Sequence, residues 1–269
     1  MKTVFGVDFR IGAALTGLLL AAALMGVFFA PRGYNDMDAA RRFMPPGREY
    51  FFGTDNFGRD IFSRIITGAR YTLAVALLTV AGSAFLGAAL GLFSGYYGGI
   101  FDEVLMRAMD VLNSFPGILL ALVMVALLDT GEPALVTALI LLFTPGFVRV
   151  VRSGTLQYRS RDFVRAAELQ GCSAPRLLFV HILPNLLPPL FSAIVLGLGN
   201  AILAEATMSY LGLGIQPPLP SWGRMLAESQ NYLFNAPWCA LVPGIMIMLT
   251  VSGFHFLGEG IRRAAAGES

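Results

Sequence analysis

Long apolar runs without a charged residue constrain this chain more than any other feature. The first run covers residues 11–30 and the second covers about 71–94. At 1.5 Å per helical residue, about twenty residues span about 30 Å, the thickness of the hydrocarbon core of a bilayer. The runs therefore predict a protein that crosses a membrane several times.

Four further apolar runs follow, and they predict an all-α polytopic membrane protein with about six transmembrane helices. They cover about 113–128, 134–151, 186–204 and 237–257, and a break at 129–133 makes the first two of these a hairpin. Only 13% of the 269 residues are charged and 56% are hydrophobic, as expected for such a protein. A cleaved signal peptide is the alternative for the first run. Its length exceeds the 7–15 residues of a signal core and favours a retained anchor helix.

The arginines predict which side of the membrane each loop faces. Six arginines lie in residues 149–176, between the fourth and fifth runs, and predict a cytoplasmic segment. Basic residues near both chain ends agree, so both termini are predicted to be cytoplasmic. The loop at 31–70 conflicts with this orientation, because it carries seven arginines and is predicted to lie outside the cell.

Several function classes are disfavoured by what the sequence lacks. Lys2 is the sole lysine, so a P-loop cannot form and the chain is predicted to be neither an enzyme nor an ATPase. The apolar runs contain almost none of the ionisable residues that a coupled carrier needs. Cys172 and Cys239 match no metal spacing, and a net charge of +2 indicates no nucleic-acid surface. The chain is therefore predicted either to conduct passively or to draw energy from another protein. A passive channel and a secondary carrier are the alternative function classes.

The cytoplasmic segment contains a short predicted helix at 162–171. Asp162 is a suitable N-cap, and Gly171 is suited to end the helix. One face has helical spacing and small side chains, so a partner could pack closely on it; this face comprises Phe163, Ala166, Ala167 and Gln170. A solvated basic loop is the alternative interpretation.

A second short helix is predicted directly after the first. Ser173 is its expected cap and Pro175 lies in its first turn. Pro184 is expected to break it just before the fifth apolar run. Together the two helices would project from the cytoplasmic face of the protein.

The motifs in this segment resemble the coupling loop of ABC importer permeases. The stretch Arg165-Ala-Ala-Glu-Leu-Gln-Gly171, followed by His181-Ile-Leu-Pro-Asn185, carries the resemblance. Further fragments in the same order resemble the second permease of the dipeptide, oligopeptide and nickel group; they lie at 53–64, 95–110, 209–214, 217–223 and 237–244. The chain departs from the family motif at Arg165, where the motif has Glu. It also differs at the end of the sixth run, 255–260, and lacks the usual tail after Ser269.

The resemblance implies a type I ABC importer permease fold and a division of the chain. Residues 1–70 would form an anchor helix and extracytoplasmic loop, 71–263 the permease core with a coupling loop at 152–185, and 264–269 a short tail. The implied ATPase-coupling residues are Asp162, Phe163, Ala166, Ala167, Glu168, Gly171, His181, Pro184 and Asn185. His181 is otherwise expected to be a structural hydrogen bonder.

The resemblance also implies partners and a location. These are a bacterial inner membrane, a second homologous permease, two ABC ATPases that bind ATP and Mg²⁺, and an extracytoplasmic solute-binding protein. The chain itself is expected to bind no cofactor, metal or nucleic acid. The implied function is import of dipeptides or oligopeptides, with nickel as the alternative solute, although no His or Cys cluster supports a metal.

Two outer segments have alternative interpretations. Trp222 and Gly223 are predicted either to face the binding protein or to form a rigid interfacial loop, with Trp222 as a belt aromatic. Residues 54 and 55 are expected to cap a helix from about 56 to 70. Arg59 and Asp60 in that segment are predicted either to contact the binding protein or to fasten the segment to the permease core.

Overall fold

A computed structural model describes residues 7–29, 32–128 and 131–266. The helices of these residues are α1 (Val7–Phe29), α2 (Ile61–Tyr97), α3 (Gly99–Ser114), α4 (Gly117–Leu128), α5 (Glu132–Arg159), α6 (Asp162–Leu169), α7 (Ala174–Arg176), α8 (Leu183–Tyr210), α9 (Trp222–Ser229) and α10 (Trp238–Ala266). A π-helical stretch, Leu177–Ile182, joins α7 to α8, and 3-10 turns lie at Ala39–Arg41 and Gln230–Tyr232. The predicted end of the first run at Ala30, part of the predicted break at 129–130 and the tail at 267–269 lie outside the described residues.

The described helices confirm an all-α protein that spans a membrane several times. Four are long and apolar enough to cross a bilayer, namely α2, α5, α10 and the continuous helix 174–210. The pair α3 and α4 qualifies as a fifth crossing only if its bent halves are counted together. Helix α1 adds 23 residues, which reach about 35 Å. By length and composition, four described helices could cross, or five with the bent pair, and α1 has the length of a further span.

The predicted third span, about 113–128, is not one straight helix. Helices α3 and α4 meet at an angle of 96° around Phe115 and Pro116. Phe115 is extended, with φ −88° and ψ 141°, because a residue before proline is pushed out of the helical region. Since α4 has only 12 residues and reaches about 18 Å, it cannot cross the bilayer alone.

The predicted helix from 56 to 70 is also corrected. Residues 54–60 form a tight turn, closed by a bridge between Thr54 and Asp60. Helix α2 begins at Ile61, where the Asp60 carboxylate accepts the backbone N–H of Ser63 at 3.0 Å and caps the helix. It then continues to Tyr97 as one helix of 37 residues, so the predicted domain boundary at residue 70 falls inside it.

Glycines on α2 allow it to pack closely against α5. The two helices run parallel, with Gly87 against Phe147 and Gly95 against Thr155. A Cβ atom at Gly87 would lie 2.3 Å from the Phe147 Cβ, so only glycine fits there. The structure confirms the close approach expected from small residues at four-residue spacing.

The described ends of the chain lie at the same end of the helices. Arg263, near the end of α10, contacts Asp8 at the start of α1 with 2.6 Å between Nη1 and Oδ2. Ser192 of α8 donates to the Gly258 carbonyl, so the last turns of α10 lie beside the first half of α8. Helix α6 precedes α8 at this end, which we call the α6 end; the opposite end, with α9 and the start of α2, is the outer end.

Candidate functional site

Helix α6 begins one residue earlier than the sequence predicted. Asp162 is its first residue, and Arg161 occupies the N-cap position with extended φ and ψ. No side-chain hydrogen bond caps this end. The Arg161 N–H bonds instead to the Tyr158 carbonyl at 3.0 Å, and this turn after α5 fixes where the new helix starts. The prediction that Asp162 is the N-cap was therefore wrong.

Gly171 ends α6 in the left-handed conformation that the sequence predicted. Its φ is +80°, a value that glycine adopts without steric cost. The Gly171 N–H bonds to the Glu168 carbonyl at 2.9 Å, and the Cys172 N–H bonds to the Ala167 carbonyl at 3.1 Å. These two bonds form a Schellman motif, which satisfies carbonyls that the helix end leaves free.

The inner face of α6 packs against its own chain. Val164 and Ala167 are buried in the same core cluster as Leu177 and Leu178 of the π-helical stretch. Ala167 was predicted to lie on the exposed docking face, and this is corrected. A helix of eight residues needs an apolar inner face to stay folded, and positions 164 and 167, three residues apart, supply it.

The outer face of α6 is exposed and partly apolar. Leu169 has 90% of its surface exposed, and Phe163 has 46%. Asp162, Ala166, Glu168 and Gln170 are also exposed. Sequence reasoning missed Leu169, although its spacing of three residues from Ala166 and six from Phe163 places all three on one side of the helix.

The segment after Gly171 rejoins the membrane helix without a break. Ser173 holds the N-cap position and Pro175 lies in the first turn, as predicted, although the Ser173 side chain makes no capping bond. Pro184 does not end the helix, contrary to expectation. The preceding π-helical turn bonds the Leu183 N–H to the Leu178 carbonyl, so Pro184 falls in the first turn of α8, where its missing N–H is tolerated.

His181 and Asn185 make hydrogen bonds within this segment. The Nδ1 atom of His181 lies 3.2 Å from the Arg176 carbonyl oxygen, and the Asn185 side-chain amide donates to the His181 carbonyl at 2.7 Å. These contacts are what a structural hydrogen bonder would make, and the role of His181 stays a prediction.

Trp222 is a core residue at the outer end. It is 1% exposed, and its indole N–H donates to the Ile65 carbonyl of α2 at 3.0 Å. The predicted roles as a belt aromatic or a surface contact are therefore corrected, because the ring lies between helices. Gly223 beside it is buried, and a Cβ atom there would lie 2.3 Å from the Ala206 carbonyl oxygen.

Arg59 belongs to a network of charges that is mostly buried. Both Arg59 and Arg64 bind Asp55 and Glu228, with nitrogen–oxygen distances of 2.6–2.9 Å. Asp60 is buried as the cap of α2. The network joins the outer loop and α2 to α9, which is the arrangement that the core-fastening alternative predicted. Sequence spacing gave no signal for Glu228, which lies 169 residues from Arg59.

These pairs explain how the outer loop accommodates its seven arginines. Four of the seven form ion pairs with acids of the loop or of α9: Arg32, Arg41, Arg59 and Arg64. The positive-inside rule counts Lys and Arg and gives acids little weight, so the conflict with the orientation predicted from the other loops remains.

The geometry agrees with the family to which the sequence is similar. A family model described as the inner membrane component of binding-protein-dependent transport systems matches residues 87–265, including α6 and both flanking helices. The chain belongs to this family. It is therefore a multi-pass inner-membrane transport component rather than an enzyme, which disfavours the passive-channel and secondary-carrier alternatives.

Relatives of this transport component are similar over more than four fifths of their length. A dipeptide transport system permease protein of Alkalihalophilus pseudofirmus is 41% identical over 256 residues, covering 93% of this chain and 84% of that protein. A putative peptide transport system permease protein of Brucella suis is also 41% identical, with 95% and 86% covered. A glutathione transport system permease protein of Pectobacterium atrosepticum is 39% identical, with 92% and 82% covered.

The fold of this inner membrane component has been seen before. The MetNI methionine ABC transporter, solved in an inward-facing conformation, contains a chain that superposes with a TM-score of 0.62. The match covers 74% of this chain and 94% of the other, at 20% sequence identity. This likeness confirms the predicted type I ABC importer permease fold.

Proposed function

We propose that this chain is the permease subunit of an ATP-driven importer of dipeptides or oligopeptides. It would form the translocation path with a second homologous permease. Two cytoplasmic ABC ATPases would bind at the α6 end, and an extracytoplasmic solute-binding protein at the outer end. The observation that carries the proposal is the exposed apolar face of α6, above all Leu169.

The mechanism follows from how α6 is attached. Its inner face is buried through Val164 and Ala167, and only Ser160 and Arg161 separate it from α5. An apolar helix face of this size fits a groove on a partner protein. When ATP closes the ATPases, they would displace α6, and α5 would move with it. ATP and Mg²⁺ would be bound by those partners alone.

Peptide as the solute is supported by the names of the relatives. The three described above transport a dipeptide, a peptide and glutathione, according to their names. The names of these three relatives give nickel no such support. The described residues also contain no cluster of three or more metal-ligating side chains. We therefore assign a short peptide as the transported solute.

The binding-protein contact is proposed at a cleft rather than at Trp222 and Gly223. Those two residues are buried, whereas the cleft between the outer loop and α9 is open. The residues lining it include Met37, Asn56, Phe57, Arg224, Asn231 and Tyr232. Met37 and Phe57 are well exposed and offer apolar contact area.

The decisive experiment changes Leu169 in the assembled transporter. Leu169→Asp places a charge on the exposed side chain without disturbing the inner face of α6. A charge buried unpaired in a partner groove costs several kcal/mol, so recovery of the ATPases with the tagged permease is expected to fall sharply. Uptake of a radiolabelled dipeptide by proteoliposomes that contain the binding protein is expected to fall with it.

A matched variant controls for adding a carboxylate to an exposed leucine. Leu233 is also exposed and lies at the outer end, so Leu233→Asp is expected to leave ATPase recovery unchanged. If Leu169→Asp assembles and imports dipeptide at the wild-type rate, α6 is not the coupling site. The purified chain alone is expected neither to bind nor to hydrolyse ATP.

A further inference from the structure

The helical structure is interrupted at each end of α3, and we call these two interruptions its joints. It follows α2 through Gly98 and Gly99, whose φ values are +65° and +63° and whose surroundings are open. It meets α4 at the 96° bend of Phe115 and Pro116. Met109 is the single buried residue of α3, all of which is described. Core packing therefore leaves the position of α3 weakly fixed.

Two ion pairs connect α3 to α5. The Arg152 guanidinium donates to both carboxylate oxygens of Asp102, with Nε–Oδ1 at 2.5 Å and Nη2–Oδ2 at 2.6 Å. One turn earlier on α5, Arg149 Nη2 donates to Asp110 at 2.6 Å. Ser94 of α2 also donates to Asp102. We call these two pairs the α3 clamp.

The Asp102–Arg152 pair is the stronger half of the α3 clamp. Its side chains are 16% and 28% exposed, whereas those of Asp110 and Arg149 are 64% and 47% exposed. A two-pronged arginine–carboxylate contact also fixes orientation as well as distance. Water screens the attraction between the more exposed side chains of Asp110 and Arg149.

Helix α5 links the α3 clamp directly to α6. Arg152 lies seven residues before Arg159, about 10 Å along the helix from the turn that leads into α6. This part of α5 packs closely against Gly91 and Gly95 of α2. A displacement of α6 therefore moves Arg152, and Arg152 holds α3.

We propose that Asp102 and Arg152 are positioning residues that transmit motion of α6 to the bent α3–α4 element. Each cycle of the ATPases would shift α5, and the α3 clamp would make α3 pivot on its two joints. This rests on the proposed function, in which α6 binds the ATPases. The bent element would then change the access of solute at the α6 end.

The test measures how tightly transport and ATP hydrolysis are linked. Complexes containing Asp102→Asn or Arg152→Gln would be reconstituted with the binding protein, and tritiated dialanine uptake would be divided by ATP hydrolysed. We expect this ratio to fall by roughly tenfold, as for loss of a charge-assisted hydrogen bond, while ATP hydrolysis continues. The exchanged pair, Asp102→Arg with Arg152→Asp, is expected to recover much of the ratio.

Glu103 provides a matched control on the same helix. It pairs with Arg107 within α3 at 2.5 Å, and both side chains are exposed. Glu103→Gln removes a carboxylate beside Asp102 without touching α5, so the uptake ratio is expected to stay at the wild-type value. An equal loss in Glu103→Gln would show a general charge effect and would overturn the proposal.

Two further outcomes are decisive. A wild-type ratio in both Asp102→Asn and Arg152→Gln would overturn the role of the α3 clamp. If these variants do not assemble, Arg152→Lys is measured instead, because it keeps the charge but loses the two-pronged contact. An unchanged ratio of uptake to ATP hydrolysis in Arg152→Lys would also overturn the proposal. Failure of the proposed function can be told apart from failure of the α3 clamp, because only the former gives normal ATPase recovery with Leu169→Asp.

Discussion

Gly171 shows how one backbone conformation shapes the candidate site. Its φ of +80° turns the chain between α6 and the next helix, and no heavy atom beyond its two chain neighbours lies within 4 Å of the place where a Cβ would sit. The requirement for glycine is thus conformational and does not come from crowding. The two Schellman hydrogen bonds, donated by the N–H groups of Gly171 and Cys172, depend on this turn.

Gly171→Val is expected to weaken the site through the backbone alone. The left-handed conformation costs a non-glycine residue about 1–2 kcal/mol, and more for a β-branched side chain. Co-purification of the ATPases, at matched membrane expression, is expected to fall. Gly171→Asn is the control, since asparagine tolerates this conformation, and it is expected to retain most of the recovery. Equal recovery for valine and wild type would show that Gly171 is only a linker.

At the scale of elements, the outer loop is fastened to the helices by buried charges. Arg59 and Arg64 share Asp55 and Glu228, and Arg64 is 2% exposed. Asp55 comes from the loop itself, whereas Glu228 comes from α9. Removing Glu228 would leave two buried guanidinium groups facing one carboxylate.

Glu228→Gln is therefore expected to loosen the outer loop. Breaking a buried pair from one side costs about 3–5 kcal/mol, because the remaining charge is uncompensated. Trypsin cleavage after buried Arg59 is expected to accelerate by about two to three orders of magnitude in the purified protein, since cleavage follows the open population. Cleavage after exposed Arg48 serves as the internal reference.

Glu49→Gln is the matched change in an exposed pair. Glu49 binds Arg41 at 2.5 Å, but both side chains are about half exposed. Water screens such a pair, so cleavage after Arg59 is expected to stay at the wild-type rate. Unchanged cleavage in Glu228→Gln as well would mean that the network does not hold the loop in place.

At the scale of the whole molecule, the described chain ends and α6 share one end of the helices. The contact between Asp8 and Arg263 joins α1 to α10, and the outer loop lies at the opposite end. An even number of crossings, such as the six that the apolar runs predict, requires this arrangement. The arginines around α6 predict that this end is cytoplasmic.

Reporter fusions test the orientation. A reporter active only in the cytoplasm, fused after Arg263, is expected to be active. A reporter active only outside the cytoplasm, fused in the loop that contains Asp55, is expected to be active too. Reporters exchanged between the two sites are the controls and are expected to be silent. Outside activity at Arg263 would contradict the proposed orientation.

Local sequence determined the features that depend on neighbouring residues. Apolar run length predicted the spans apart from the bent third one, glycine spacing predicted the close packing of α2, and Gly171 predicted the end of α6. Motif order supplied the resemblance to the family that the comparisons confirmed. These features follow from hydrophobicity and backbone preference within a few turns, which any short window of sequence contains.

The tertiary structure decided which side of each element meets the rest of the chain. It placed Ala167 inside and Leu169 outside, although both lie on the same short helix. It buried Trp222 against Ile65, paired Arg59 with Glu228, and set Asp102 against Arg152, across 157, 169 and 50 residues. Such partners meet only when helices distant in sequence pack together, and local spacing carries no information about that packing.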